Sequence, residues 1–255
     1  SINIKNNAYE SVTTLEGETI ISDQIISGLD PHNTFINLVG NQNLDPNFHT
    51  QINNIKYRGS TARVHFTLRD IPKIKGINND QISTIFSICP SIEYLERASD
   101  AVKYGLISKD PYLEFSIPSI LNPNFSSEGK HVLSVSVQYA PYQLRNRKWD
   151  TDSKEQLKQN TIQVLEKKIP NLTQLIETSL VHSPKDLETE FGLTEGNLNH
   201  GEMTLDQLLF MRPTASSSQY RTPFKNFYLC GPGTHPGGGL HGMNGYNAAR
   251  KVLKI

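Results

Sequence analysis

The 255-residue chain balances 25 basic against 25 acidic side chains, so it offers a polyanion such as DNA no net attraction, and a nucleic-acid partner is not expected. Its 36% hydrophobic content supports one large core or two ordinary ones. Cys89 and Cys230 fall in no C-x-x-C or Cys/His pattern, which gives metal chemistry no support and fits a reducing, cytoplasmic setting.

The opening SINIKNNAYE lacks the basic-then-apolar form of a signal peptide, and no apolar run approaches the ~18 residues of a membrane span. AYESVTT and GETIISD flank a Glu16-Gly17 turn, and QIISGLDP follows as an apolar strand ending at Asp30-Pro31. In DPNFHTQINNIKY, Asp45 suits an N-cap and Pro46 the first helical position, with Phe48, Ile52 and Ile55 on one face. ARVHFTLRD, STIFSIC, YLEFSIPSI and HVLSVSVQYAP read as strands. The last sets Leu133, Val135, Val137 and Tyr139 opposite Ser134, Ser136 and Gln138.

SIEYLERASDAVKYG reads as a helix capped by Ser91 and stopped by Gly105. SKEQLKQNTIQVLEKKIP is the strongest helical pattern, with Ser153 and Gln156 as a capping box and Pro170 as terminator. SPKDLETEFG is a shorter helix. The fold class is α/β or α+β, with a mixed sheet.

The tail NFYLCGPGTHPGGGLHGMNGYNAARKVLKI holds a short strand, then Gly231, Gly233, Gly237, Gly238, Gly239, Gly242 and Gly245, then a helix. Strand, glycine loop and helix bring bare amides and a helix dipole to an anionic or flat ligand. A merely tight connection is the plainer reading of such a loop. Neither nucleotide fingerprint, G-x-G-x-x-G after a strand nor G-x-x-x-x-G-K-[ST], occurs.

YLCGPGTHPGGGLHGMNGYNAA resembles the C-terminal signature of phytoene-desaturase-related, amine-oxidase-like FAD oxidoreductases. Within that group the resemblance is closest to the pyridine-nucleotide-disulphide-oxidoreductase-domain proteins. It extends through GLTEGNLNHGEMTLDQLLFMRP and YRTPFKNFYLCG, with fainter echoes in HVLSVSVQYAPY and ISDQIISGLDPHNTF. It implies a two-domain flavoprotein: 1–35 and 222–255 as parts of a Rossmann-like FAD domain, and 36–221 as a substrate domain. Gly231, Gly233 and Thr234 would run along the ribityl-pyrophosphate. His235, Pro236, Gly237, Gly238 and Gly239 would pass the flavin ring, and the helix near Gly242 and Met243 would point at its N1–O2 edge.

The resemblance further implies oxidation of C–C or C–N bonds by hydride transfer to flavin. The substrate would be small and can be apolar. No catalytic residue is assigned, because hydride loss needs no protein base; His235 reads as packing or flavin contact. Arg212 and Arg221 are read as facing a carboxylate or phosphate, or as ion-paired.

The family's first-strand fingerprint is absent, so the chain reads as a C-terminal half whose partner is the missing N-terminal FAD-domain half or a second copy. Exposed apolar surface above about 600 Å² is expected where that partner docks. The alternative is a non-catalytic binding or scaffold module that has lost FAD binding.

Overall fold

The computed structural model describes residues 1–255, apart from the side chain of Asn79. The chain separates into two compact units, Ser1–Arg58 with Gly192–Ile255, and Gly59–Phe191. The first carries β1 (Ile2–Lys5), β2 (Ala8–Thr13), β3 (Thr19–Ile21), β4 (Ile25–Ser27) and α1 (Pro46–Asn53). The second carries β5 (Thr61–Leu68), β6 (Phe86–Ile88), α2 (Ile92–Lys103), β7 (Tyr112–Ser116) and β8 (His131–Gln138). It continues with α3 (Thr151–Glu166), α4 (Leu172–Leu175), β9 (Ile176–His182) and α5 (Pro184–Phe191). The chain then returns to the first unit for β10 (Phe227–Leu229) and α6 (Met243–Leu253).

In the first unit, β1, β2 and β3 form an antiparallel meander, while β4 pairs with β10 in parallel, Ile25 opposite Phe227 and Ser27 opposite Leu229. Asp45 caps α1 by accepting from the amides of Asn47 (2.9 Å) and Phe48 (3.3 Å), with Pro46 in the first turn. Phe48 and Ile52, one turn apart, are thereby buried against Phe35, Phe224, Phe227 and Leu229. Phe35 meets Phe48 edge-on at 4.9 Å. Phe35–Ile55 therefore shares a core with both chain ends, and the compact unit reaches beyond 1–35 and 222–255.

The second unit is built on a five-stranded sheet, order β6-β7-β8-β5-β9, antiparallel throughout. The mixture of parallel and antiparallel pairing thus lies between the sheets and not inside the larger one. Ala62, Val64, Phe66 and Leu68 alternate inward on β5 to meet Leu133, Val135 and Val137 of β8. Leu157, Val164 and Leu165 of α3 cover that face. The other face carries Arg63, His65, Thr67, Ser134, Ser136 and His182.

Two further features depart from the sequence reading. α3 starts earlier, because Asp150 caps it by accepting from the Ser153 amide at 2.9 Å. A carboxylate at a helix N-terminus gains from the dipole as well as the hydrogen bond. Ser153 is instead a buried first-turn residue whose hydroxyl donates to Lys148 O at 2.7 Å. Strand β9 had no sequence signal: it is an edge strand whose Glu177, Thr178, Ser179 and Leu180 are exposed.

Truncating Leu133, which is fully buried, to alanine is expected to cost about 2–5 kcal/mol by urea unfolding. Leu180→Ala, at a side chain 55% exposed on the opposite face, is expected to stay within about 0.5 kcal/mol. Equal costs would show the sheet to be covered on the wrong face.

Candidate functional site

Parallel strands end at the same edge of a sheet, so the turn after β4 and the loop after β10 emerge together. The Cys230 amide donates to Ser27 O at 2.8 Å, continuing the ladder into both loops. At Gly231, φ is +82° and a Cβ would sit 2.9 Å from Gly28 O. Bare backbone is required there for one loop to pass the other. A Cβ on Gly233 would likewise meet Pro31 Cδ at 2.9 Å.

Thr234 is buried, and its hydroxyl donates to Gly231 O at 2.9 Å. Asn244, in the first turn of α6, donates through Nδ2 to Thr234 O (3.0 Å) and His235 O (3.3 Å). His235 O also accepts from the Tyr220 hydroxyl at 2.8 Å, which in turn accepts from Asn247 Nδ2 at 2.8 Å. The loop is thus fastened to the helix it precedes. Gly237 lies against the Met203 thioether. Beside Gly238 the space a side chain would take holds Asn199, whose Oδ1 is 1.8 Å from where a Cβ would lie.

The remaining predicted residues are placed differently. A Cβ on Gly239 would meet the His241 ring at 3.0 Å, and His241 Nδ1 accepts from the Met243 amide at 3.1 Å. The N-cap residue Gly242 has no side chain to cap α6, so His241 takes the first amide alone, and no acid lies in the first turn. A Cβ on Gly242 or Gly245 would meet nothing within 4 Å. Gly231 to Gly238 therefore pack against the chain's own atoms, whereas Gly242, Met243 and Gly245 surround a helix N-terminus with open space beside it.

Behind the loop lies a buried polar network that spacing had not revealed. Arg212 is 2% exposed and, among the described residues, pairs with no carboxylate. Its guanidinium donates to the carbonyls of Pro232 (2.8 Å), Glu202 (3.1 Å), Gln207 (3.2 Å), Gly201 (3.2 Å) and Asn199. This replaces the ion pair or ligand contact expected for it. Burial draws its pKa down to about 10, which leaves it charged at neutral pH.

Asp30, also 2% exposed, accepts from the Asn33 amide and the Thr194 hydroxyl, both at 2.9 Å. Burial first and Asp30 second push the Tyr57 hydroxyl well above its ordinary range. His200 is shifted down, chiefly by burial and further by Arg212, with Asp30 opposing. Its Nδ1 and that of His235 are buried without a hydrogen-bond partner. The signals that could have flagged this network are the Asp-Pro closing β4 and the run of Asn and His in GNLNHGEM.

A glycine loop followed by a helix N-terminus, at the carboxyl ends of parallel strands, is an arrangement suited to an anionic nucleotide or cofactor. A profile described as "Flavin containing amine oxidoreductase" matches residues 2–253, and the chain belongs to that family. It is 34% identical over 254 residues to the rat protein named pyridine nucleotide-disulfide oxidoreductase domain-containing protein 2, covering 96% of this chain and 44% of that one. It is 25% identical over 237 residues to a Paracoccus phytoene desaturase (lycopene-forming), covering 92% and 44%. A solved oxidoreductase from Methanosarcina mazei shares the fold, with a TM-score of 0.59 at 13% identity, covering 100% of this chain and 48% of the other. The chain therefore spans less than half the length of these relatives. Among the described residues no helix is long and apolar enough to cross a membrane.

Gly231→Ala should destabilise the protein by more than about 1 kcal/mol with no ligand present, because left-handed φ and a backbone clash both oppose it. Gly245→Ala, in a helix and facing open space, should be neutral or stabilising by up to about 1 kcal/mol. Chemical unfolding of the two variants would separate self-packing glycines from ligand-facing ones; matching losses would refute the division.

The downward shift of His200 has a definite sign. Its contribution to stability is complete above the ordinary value of 6.5 and is lost as pH falls from there through the depressed folded value. His65 is shifted the same way, by burial and then His182. Denaturation midpoints should therefore drop below about pH 6.5, and His200→Gln should flatten part of that slope. A slope unchanged by the substitution would remove His200 from the account.

Proposed function

We propose that this chain supplies the flavin-ring side of the cofactor site and the substrate-binding insertion of an FAD-dependent oxidoreductase that oxidises C–C or C–N bonds. The observation that carries this reading is the N-terminus of α6, which has glycine at its N-cap, no acid in its first turn and open space beside Gly242 and Gly245, with only the Met243 amide taken by a side chain, His241. A helix N-terminus presents about half a positive charge, suited to the edge of a flavin ring that becomes negative on reduction. Bound flavin would accept the hydride.

In this reading the backbone of Gly231, Gly233 and Thr234 follows the ribityl-pyrophosphate, and His235 to Gly239 passes the ring. Gly242 and Met243 meet the ring's N1–O2 edge. Residues 1–35 and 222–255 belong to the FAD domain and 36–221 to the substrate domain, whose separately cored part is 59–191.

The partner is an N-terminal half that carries the dinucleotide fingerprint. Two-stranded parallel sheets are not stable alone, and β4 is paired only through β10. Ile26 on β4 and Leu29 just after it are 45% and 49% exposed. Added strands along β4 would complete the sheet and bring the adenosine end of the cofactor its own amides.

Alone, the chain should bind FAD on the order of 100 μM or worse and purify colourless, since half a site must overcome the whole entropy cost of association. Supplying an N-terminal half with the fingerprint should give tight, yellow complex. Gly245→Val should then prevent binding while leaving the lone chain's stability within about 1 kcal/mol. Stoichiometric FAD on the lone chain, or normal binding by Gly245→Val, would overturn the reading.

A further inference from the structure

A groove of about 590 Å³ runs between Ser218–Arg221 and the C-terminal half of α6. That volume falls within the range of small-ligand sites. Arg221, Arg250, Lys251 and Lys254 line it, and no acidic side chain does. Among the described residues none of the four pairs with a carboxylate. Lys251 Nζ is steadied by neutral Gln219 Oε1 at 2.9 Å, and Arg250 lies over the Tyr246 ring at 5.9 Å. Tyr220, Asn247 and His235 complete the lining.

Basic side chains at a helix C-terminus commonly offset the macrodipole, at about 0.3–1 kcal/mol each. That explains Arg250 and Lys251 and leaves Arg221 unexplained, since it comes from the neighbouring segment. Lys254 lies just past α6, at its left-handed C-cap (φ +59°), and adds a fourth cation beside Arg250 and Lys251. The dipole's half negative charge opposes an anion here, but four cations outnumber it. Setting the α-carboxylate of Ile255 against them still leaves a cationic excess.

The groove shares His235 with the stretch assigned to the flavin ring, but Arg250, Lys251 and Lys254 lie at the opposite end of α6 from the one assigned to the flavin. Arg250 lies seven residues past Met243, about 10 Å along the axis. It also flanks the side of β10 away from β4: the Leu229 amide donates to Tyr220 O at 2.8 Å, whereas the Cys230 amide donates to Ser27 O on the opposite edge. Strands added along β4 would leave it open.

We infer that this groove binds a phosphate-bearing anion, with the Arg221 and Arg250 guanidinium groups on the phosphate oxygens and Lys251 and Lys254 adding charge. A phosphate ester or pyrophosphate carries the multiple charge that four cations suit, and guanidinium forks match its oxygens in pairs. The inference stands whether or not the chain binds flavin.

Inorganic pyrophosphate titrated into the chain by calorimetry should give one saturable site, weakened several-fold between 50 and 200 mM salt. Arg221→Gln/Arg250→Gln should weaken it at least tenfold. Both side chains are exposed, so the variant should keep its melting temperature. Lys73→Gln/Lys103→Gln removes equal charge elsewhere and should change nothing. Co-sedimentation with phosphatidic acid vesicles, competed by pyrophosphate, would identify a lipid headgroup as the source of the phosphate. Pyrophosphate binding without vesicle binding would identify a free phosphorylated molecule. No saturable binding, or equal loss in both double variants, would overturn the inference.

Discussion

Parallel pairing of β4 with β10 is the constraint from which the first unit follows. It joins Ile25–Ser27 to Phe227–Leu229 across almost the whole chain. Loop-closure entropy grows only logarithmically with length, so a long insertion is tolerable if it folds on its own terms. Gly59–Phe191 does so, with a core of its own around β5, β8 and α3. Antiparallel pairing would have sent the two following loops to opposite edges. Because the pairing is parallel, the Gly28–Pro31 turn and the glycine loop converge, close enough that only glycine fits at position 231.

Convergent loops leave many carbonyls without regular partners, and Arg212 answers that need. The stretch from Leu193 to Tyr220 is built of short 3-10 turns and irregular backbone, yet Gly196, Asn197, Gly201 and Arg212 to Thr214 within it are buried. Backbone groups buried in this way cost free energy unless they are hydrogen-bonded. One guanidinium reaching five carbonyls satisfies the stretch and ties it to Pro232 in the glycine loop. The charge is tolerated in the interior because every donor direction meets a dipole. Arginine suits this role better than lysine, whose point charge cannot fan out over five acceptors.

How much of this the sequence disclosed depended on whether the information was local. The Asp45-Pro46 cap, the strand pattern of β5, the alternation of β8, and the strand–glycine–helix tail are written within a few residues and match the structure. Strand β9 was invisible because an edge strand with an exposed face has no apolar period. Asp150 was overlooked because Ser153 with Gln156 also satisfies a capping pattern, and only the burial of Ser153 separates the two. The Asn33–Val39 π-helical segment and the Asp30–Thr194 hydrogen bond depend on tertiary partners. The reach of the first unit into Phe35–Ile55 has the same origin, since Phe35 and Phe227 are neighbours only after β4 and β10 have paired.

The glycine-rich signature therefore answers two demands that spacing alone cannot distinguish. Gly231 and Gly233 serve the crossing of two loops, and Gly238 makes room for Asn199. These positions would call for glycine in a protein with no cofactor at all. Gly242 and Gly245 are open on the chain's own side, at a helix end where His241 takes the Met243 amide and no acid lies in the first turn. Glycine costs a helix up to about 1 kcal/mol relative to alanine. Gly245 incurs that cost inside α6 without relieving any clash in the chain itself. What it leaves room for must come from outside the chain, and the case for a ligand rests there more than on the number of glycines.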